Sequence, residues 1–288
     1  MVTLAAASWG TWSLFLRPTG LPASVTSPIV FLVMGLAALP IALRAPRATW
    51  DRTTVGLLFL NAAFDALNIL TFFGAISMTT VAVAVLTHYL APILIALAAP
   101  RIEGLQTPGA PTAALFALVG LVIVLEPWHA PATGAVAGGL LGLTSAVCYC
   151  GNTFTVRRLA ERIGAPRAMA YHSLIAAAAT APLLLGHELI GGRDLALLAT
   201  GAVVIGAGSG VVYVIGLTRI GSARAAVLTY AEPLVAVLVG ALVWEEPLHP
   251  TAALGGAMVL GAGIYVARKA RYHHDHVAAR DHRDARLQ

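Results

Sequence analysis

Two carboxylates in this chain sit where a charge needs a reason. Asp65 lies in the middle of an apolar run over residues 54 to 76, and Glu232 lies inside another, directly before Pro233. A charge at the centre of a membrane helix costs roughly 2.5 to 3.5 kcal/mol on insertion scales, so such residues face a bundle interior and mark candidate functional sites. Asn61, Asp65 and Asn68 stand four and three residues apart and share one helical face, with Thr71 nearby. That face is expected to line a polar cavity, and its carboxylate suits the handling of protons or cations. His88 and Tyr89 fall in the middle of a further apolar run, where the imidazole can bind a ligand, pair with Asp65 or shuttle a proton. Tyr149 and Asn152, within a turn of one another, and Tyr213 add hydroxyl and amide groups of the kind that bridge helices or contact a ligand. Pro92 and Pro233 cannot donate a backbone hydrogen bond and kink the helices that carry them, which makes them candidate gate elements.

The elements that must position these groups follow from composition. Of 288 residues, 58% are hydrophobic and 11% charged, where soluble domains have about 25% charged residues; the mean hydropathy is +0.82. A membrane-spanning helix needs roughly 20 apolar residues, and the apolar runs lack the alternation of a membrane β-barrel. Breaking the chain at charges and turn residues predicts ten transmembrane helices, near 2 to 16, 26 to 43, 54 to 76, 79 to 98, 111 to 126, 135 to 156, 168 to 186, 195 to 217, 224 to 244 and 250 to 268. The fold class expected is all-α, a polytopic membrane protein. With the N-terminus inside, sixteen of the eighteen Arg and Lys residues fall on the cytoplasmic side and only Arg17 and Arg193 on the other. A single miscounted span would invert every later loop, so this bias supports an inner, cytoplasmic-membrane location with both termini in the cytoplasm. The excess of positive charge is therefore a topology signal, and no nucleic-acid partner is expected.

The chain also repeats itself. Residues 75 to 92 align without gaps on 216 to 233, so that Tyr89 meets Tyr230 and Pro92 meets Pro233; each copy continues with an apolar run, an acidic turn (Glu103-Gly-Leu, Glu246-Pro-Leu) and a glycine-rich last helix. Five spans per copy is an odd number, which gives the copies opposite polarity in the membrane. Two inverted five-helix repeats, 1–126 and 134–268, followed by a polar cytoplasmic tail, 269–288, expected to be disordered, are the organisation of alternating-access transporters with a site near the midplane.

These features resemble the drug/metabolite transporter superfamily and its EamA-like branch. The resemblance lies in the Trp9-Gly10 opening followed by Arg17, in the Ala-rich stretches that lead to Pro92 and Pro233, and in Gly138-Gly139 through Tyr149, Asn152 and Arg157-Arg158 at the start of the second repeat. The chain departs from the family at the second span, where members often carry an arginine and this chain has Ser27-Pro28. The resemblance implies ten helices and, in bacterial members, frequent export of amino acids or other metabolites.

The expected function is a secondary transporter that moves a small metabolite by alternating access, with the bilayer and a small-molecule substrate as partners and a homodimer as one option for assembly. No enzyme activity, catalytic residue, cofactor or metal is expected. An intramembrane lipid-modifying enzyme would want an HExxH or repeated-Asp constellation, which is absent from the sequence. A non-transporting sensor or assembly subunit is the alternative. Cys148 and Cys150 point apart on a helix and are expected to stay unbridged. Gly206 to Gly210 lacks the Lys of a phosphate loop and is expected, like Gly134, Gly138 and Gly142, to allow close helix packing. The tail histidines His273, His274, His276 and His282 are expected in solvated chain, not in a metal site.

Overall fold

The fold is seen in a computed structural model. It describes residues 1–284 other than 47, 49, 106, 130–133, 189, 247 and 248, and of 270–284 the backbone alone. Among the described residues every regular element is a helix. In chain order they are α1 (Val2–Trp9), α2 (Ser13–Leu16), α3 (Ala23–Arg44), α4 (Arg52–Met78), α5 (Val81–His88), α6 (Ala91–Ile102), α7 (Ala110–Leu125), α8 (Ala135–Ile163), α9 (Ala165–Thr180), α10 (Gly192–Gly201), α11 (Ser209–Ile220), α12 (Ser222–Leu228), α13 (Ala231–Val243) and α14 (Thr251–Asp284). Seven helical stretches, counting α5 with α6, α10 with α11 and α12 with α13, are long and apolar enough to cross a membrane; α7 is a shorter apolar helix.

Local chemistry sets the boundaries. Asp51 caps α4 by accepting a hydrogen bond from the Thr54 amide at 2.7 Å, and Arg162 pairs with it at 3.0 Å. The Thr54 bond above all holds the Asp51 carboxyl below its ordinary 3.8, so the cap's contribution is present above that range and is lost as pH falls through the lowered value. A left-handed Gly109 precedes α7, and Gly164, followed by Pro166, turns α8 into α9. The α10–α11 segment runs through a π-helical stretch, Ala202–Gly208, where a Cβ on Gly206 would come within 2.7 Å of the Met34 sulfur. The first span is not one straight helix: it turns at Gly10–Trp12 and ends in a 3-10 turn over Arg17–Thr19. At the other terminus α14 continues through Asp284, although a disordered tail is expected from residue 269. No Gly or Pro interrupts residues 264–284, and their Ala and Arg residues are strong helix formers. The side chains of the tail histidines lie outside the described residues.

Contacts at the helix ends sort them into two levels. At one, Arg219 reaches the Met1 sulfur, Glu103 meets Ser222 and Arg157, Arg162 meets Asp51, and Arg167 donates to the Ala45 carbonyl. At the other, Arg17 pairs with Glu246, the Trp244 indole donates to Ser13 Oγ at 3.1 Å, Thr251 meets Glu126, and Ser24 meets His187 at 3.2 Å. Each long stretch runs from one level to the other. The main helix pairs are α4 with α8, α3 with α9 and α7 with α14. Glycines permit the closest approaches: a Cβ on Gly138 would meet Thr79 Cβ at 2.6 Å, and one on Gly142 would meet Thr87 Cβ at 2.9 Å. Both cysteines are free thiols.

Candidate functional site

The polar face of α4 is packed against α8, and side-chain hydrogen bonds fill the seam. Asn61 is fully buried and donates through Nδ2 to Asn152 Oδ1 and, at 3.3 Å, to Thr155 Oγ1. Asn152 in turn donates to Asp65 Oδ1 at 3.0 Å. Two turns along, Ser145 Oγ donates to Asn68 Oδ1 at 2.7 Å. Both rungs obey the same spacing, because 61 and 68 on α4 and 145 and 152 on α8 are each seven residues apart and the helices run antiparallel.

Asp65 also reaches a residue to which the sequence reading assigned no role. Its Oδ2 lies 3.1 Å from His172 Nε2 on α9, and His172 Nδ1 lies 2.7 Å from the Ala168 carbonyl. His88, for which pairing with Asp65 was one of three options, instead places Nδ1 2.7 Å from Ser145 Oγ. Since the single Ser145 hydrogen is directed at Asn68, His88 Nδ1 is the donor in that contact. The reason for the exchange is direction: His88 ends α5 and faces α8, whereas α9 crosses α4 at the level of Asp65. His172 could have been flagged as an ionisable residue inside an apolar run. Ser145 gave no signal beyond being small and polar.

A second cluster forms where two helices break. The α5–α6 helix is interrupted at Tyr89–Leu90 and the α12–α13 helix at Thr229–Tyr230, in each case just before the paired prolines Pro92 and Pro233. At the first break both Ile93 N and Leu94 N donate to the Leu90 carbonyl, so the Tyr89 carbonyl loses its usual i+4 donor. The Tyr230 hydroxyl from the other break donates to it at 2.8 Å. The rings of Tyr89 and Tyr230 lie 5.6 Å apart, and His88 packs against Tyr89 at 5.2 Å, Tyr149 at 5.5 Å and Phe72 at 4.6 Å between ring centres. Tyr213 stacks at 4.8 Å on Trp9. The Glu232 carboxylate is within electrostatic reach of Tyr89, Tyr149 and Tyr213 and faces the Tyr89 hydroxyl. Gly10 lets α1 press on this region, since a Cβ there would come within 2.8 Å of the Ala236 amide nitrogen. The Tyr149 and Tyr213 hydroxyls are buried and face each other, with Thr229 beside the first and Thr153 beside the second.

The ten candidate binding residues thus fall into two groups. Asn61, Asp65, Asn68 and Asn152 form the α4–α8 seam; Tyr89, Tyr149, Tyr213, Tyr230 and Glu232 gather at the helix breaks. His88 joins them, bonded to the seam through Ser145 and packed on the tyrosines. In this conformation the cluster is closed, with Tyr230 fully buried. No group of three or more His, Cys, Asp or Glu side chains suited to a metal occurs among the described residues.

Residues 136–268 match the model of the EamA-like transporter family. A protein of Archaeoglobus fulgidus that carries the name uncharacterized transporter is 32% identical over 275 residues, covering 92% of this chain and 94% of its own length. One solved structure superposes with a TM-score of 0.79 at 23% identity and covers 92% of this chain and 96% of that one, which shows a shared fold.

Proposed function

The chain belongs to the EamA-like transporter family, and from that premise we propose that it is a secondary transporter that carries a small metabolite by alternating access. Membership makes it a multi-pass membrane transporter. The finer reading is that the helical stretches, with Val2–Thr19, α7 and α9 included, make ten crossings in two inverted repeats, 1–126 and 134–268. The arginine-rich level would then face the cytoplasm, with both termini there.

One observation carries this reading: the two helices broken at matched positions meet each other, with Tyr230 of one repeat donating to the Tyr89 carbonyl of the other. Broken helices at a repeat interface offer a binding site with backbone groups free for a ligand, at the level about which the halves would rock. Glu232 supplies a carboxyl acceptor for an ammonium group, and the buried hydroxyls of Tyr149 and Tyr213, which lie beside each other, can turn to donate to a carboxylate. Those are the two ends of an amino acid, which we take as the substrate class, with export as the direction. Opening the site would part Tyr89 from Tyr230 and free the hydroxyl and carbonyl that now satisfy each other.

The test is uptake of a labelled amino-acid pool by proteoliposomes, with empty vesicles and Glu232→Gln as controls. Saturable, competable flux that falls at least about tenfold in the variant, equivalent to about 1.4 kcal/mol of lost binding or barrier stabilisation, supports the carrier and its site. Wild-type flux in Glu232→Gln would remove Glu232 from the site. Absence of flux in protein shown to be folded would overturn the amino-acid substrate.

A further inference from the structure

Asp65 has two side-chain partners on two other helices, and they differ in kind. Asn152 is an amide that donates and carries no charge. His172 is titratable, and its hydrogen bonding fixes which nitrogen can exchange. Nδ1 lies 2.7 Å from the Ala168 carbonyl; a carbonyl only accepts, so Nδ1 carries hydrogen wherever this contact holds. A neutral imidazole has one N–H, which leaves Nε2 as a bare lone pair 3.1 Å from Asp65 Oδ2. Two lone pairs do not make that contact. It requires one further proton, either on Nε2, giving imidazolium and carboxylate, or on Oδ2, giving a carboxylic acid that donates to neutral imidazole.

In both arrangements the pair is neutral. Removing the proton leaves one negative charge on groups whose side chains are 4% and 15% exposed, in a helical bundle without the means to hydrate it freely. Two partners fix the geometry: Asn152 holds Oδ1, and the Ala168 carbonyl holds the ring. Other titratable groups on the packed helices are engaged elsewhere. On α8, Arg157, Arg158 and Arg162 serve Glu103, the Ile102 carbonyl and Asp51, Glu161 pairs with Arg157, Cys148 and Cys150 are free thiols, and Tyr149 lies at the helix breaks; on α9, Arg167 serves the Ala45 carbonyl and Tyr171 stacks on Trp50. His88 on α5 serves Ser145; on α11, Tyr213 stacks on Trp9 and Arg219 reaches Met1; Arg44 lies at the far end of α3. An alkali or alkaline-earth ion would want several oxygen ligands, whereas here the neighbours of the carboxylate are an amide donor and a ring nitrogen.

We propose that the Asp65–His172 pair is a binding site for a single proton and that this proton is the coupling ion of the carrier. The proposal rests on the carrier reading above for its second half only. Asp65 lies on α4 and His172 on α9, so the contact spans the two repeats. A proton entering from water closes it, and a proton leaving to water opens it, with no other bond made or broken. Loading thereby favours one relative position of the halves, which is the differential interaction that coupling demands.

The experiment is solid-state nuclear magnetic resonance on protein labelled with 15N-histidine and reconstituted in liposomes, titrated across the neutral range. The signal that disappears in His172→Gln should keep Nδ1 protonated throughout, while the Nε2 environment changes with one proton released as pH rises. In Asp65→Asn no carboxylate remains to share the proton with Nε2, so the pH response of the His172 signal should differ from that of the wild type. An unprotonated Nδ1 or an invariant Nε2 in the wild type overturns the proton site, and this result needs no variant to fold. So does an identical His172 titration in Asp65→Asn. Once a substrate is known, an imposed pH gradient should change wild-type flux at least tenfold. Flux indifferent to the gradient overturns the coupling while leaving the carrier standing; a His172 titration without flux of any compound overturns the carrier reading while leaving the proton site.

Discussion

The two broken helices differ at the positions that matter for a ligand. On the 141-residue offset that pairs Tyr89 with Tyr230, His88 stands opposite Thr229 and Ala91 stands opposite Glu232. The same offset sets Asp65 against Gly206 and Asn68 against Ser209. The first half therefore carries its carboxylate in the α4–α8 seam and a histidine at the break, while the second has a π-helical stretch packed on Met34 in place of Asp65 and carries its carboxylate at the break. Hydrogen bonding is equally uneven: Tyr230 caps the Tyr89 carbonyl, but Tyr89 turns its hydroxyl to Glu232. On the proposed repeat, matched backbones carry different side chains: Asp65 of the first half meets His172 of the second, and Glu232 of the second half stands at its own helix break.

The ion pairs at the two levels show the same contrast. Glu103, at the end of α6, meets Arg157 of the other repeat at 2.6 Å with side chains 5% and 14% exposed. Glu246, at the end of the second broken helix, meets Arg17 of the first repeat with side chains 48% and 51% exposed. If the halves rock, Arg17–Glu246 would latch one face, and the buried Glu103–Arg157 pair would latch the other beside the exposed Arg162–Asp51 pair. The largest effect is expected on breaking the buried one. Glu103→Gln leaves a desolvated guanidinium with only Glu161, at 3.2 Å, to balance it, and should destabilise the protein by about 3 kcal/mol in detergent unfolding. A loss below about 1 kcal/mol would mean that Arg157 finds water or Glu161 at no cost, and the contrast between the faces would collapse.

Next comes the tyrosine bridge. Tyr230→Phe removes the donor to a buried carbonyl that has lost its helical partner and should cost about 1 kcal/mol, whereas Tyr89→Phe leaves the bridge intact but takes the hydroxyl from the buried Glu232 carboxyl and should cost about 2 kcal/mol. Equal losses in the two variants would show that the bridge is not where the repeats differ. Unfolding curves of both proteins, measured side by side, decide it.

How far the sequence carried this picture depends on the kind of signal. Apolar runs punctuated by Gly, Pro and Arg made the helices legible, and the ungapped repeat set Tyr89 against Tyr230 and Pro92 against Pro233. Long-range partners were not legible. Asp65 was singled out by its depth, but the repeat could not reveal that α9, not α5, presents the histidine to it. His172 stands out in sequence only as an ionisable residue in an Ala-rich run, with no sign of the helix that it faces. Glu103 and Arg157 read as interface charges because each sits near a helix end; their burial arises only when α6, α8 and α12 converge. The turn at Gly10 and the extension of α14 to Asp284 are local backbone choices that hydropathy does not resolve.

The smallest effect concerns the exposed latch, and it sharpens the comparison most cleanly because the substitution matches the one at Glu103. Arg17 keeps Trp244 as a second partner, with the guanidinium 5.3 Å from the ring centre, and both members of its ion pair remain about half in water. Glu246→Gln should therefore cost well under 1 kcal/mol. Salt should reveal the difference further. Raising ionic strength shortens the screening length to a few Å and should bring wild type and Glu246→Gln to the same unfolding temperature, while the gap between wild type and Glu103→Gln persists. If both gaps close together, solvent reaches the two pairs alike and the faces are equivalent. If only the Glu246 gap closes, one face of the carrier is held by a dry ion pair in addition to the exposed Arg162–Asp51 pair, and the other by a wet ion pair, which makes the Arg17–Glu246 face the one that opens at lower cost from this conformation.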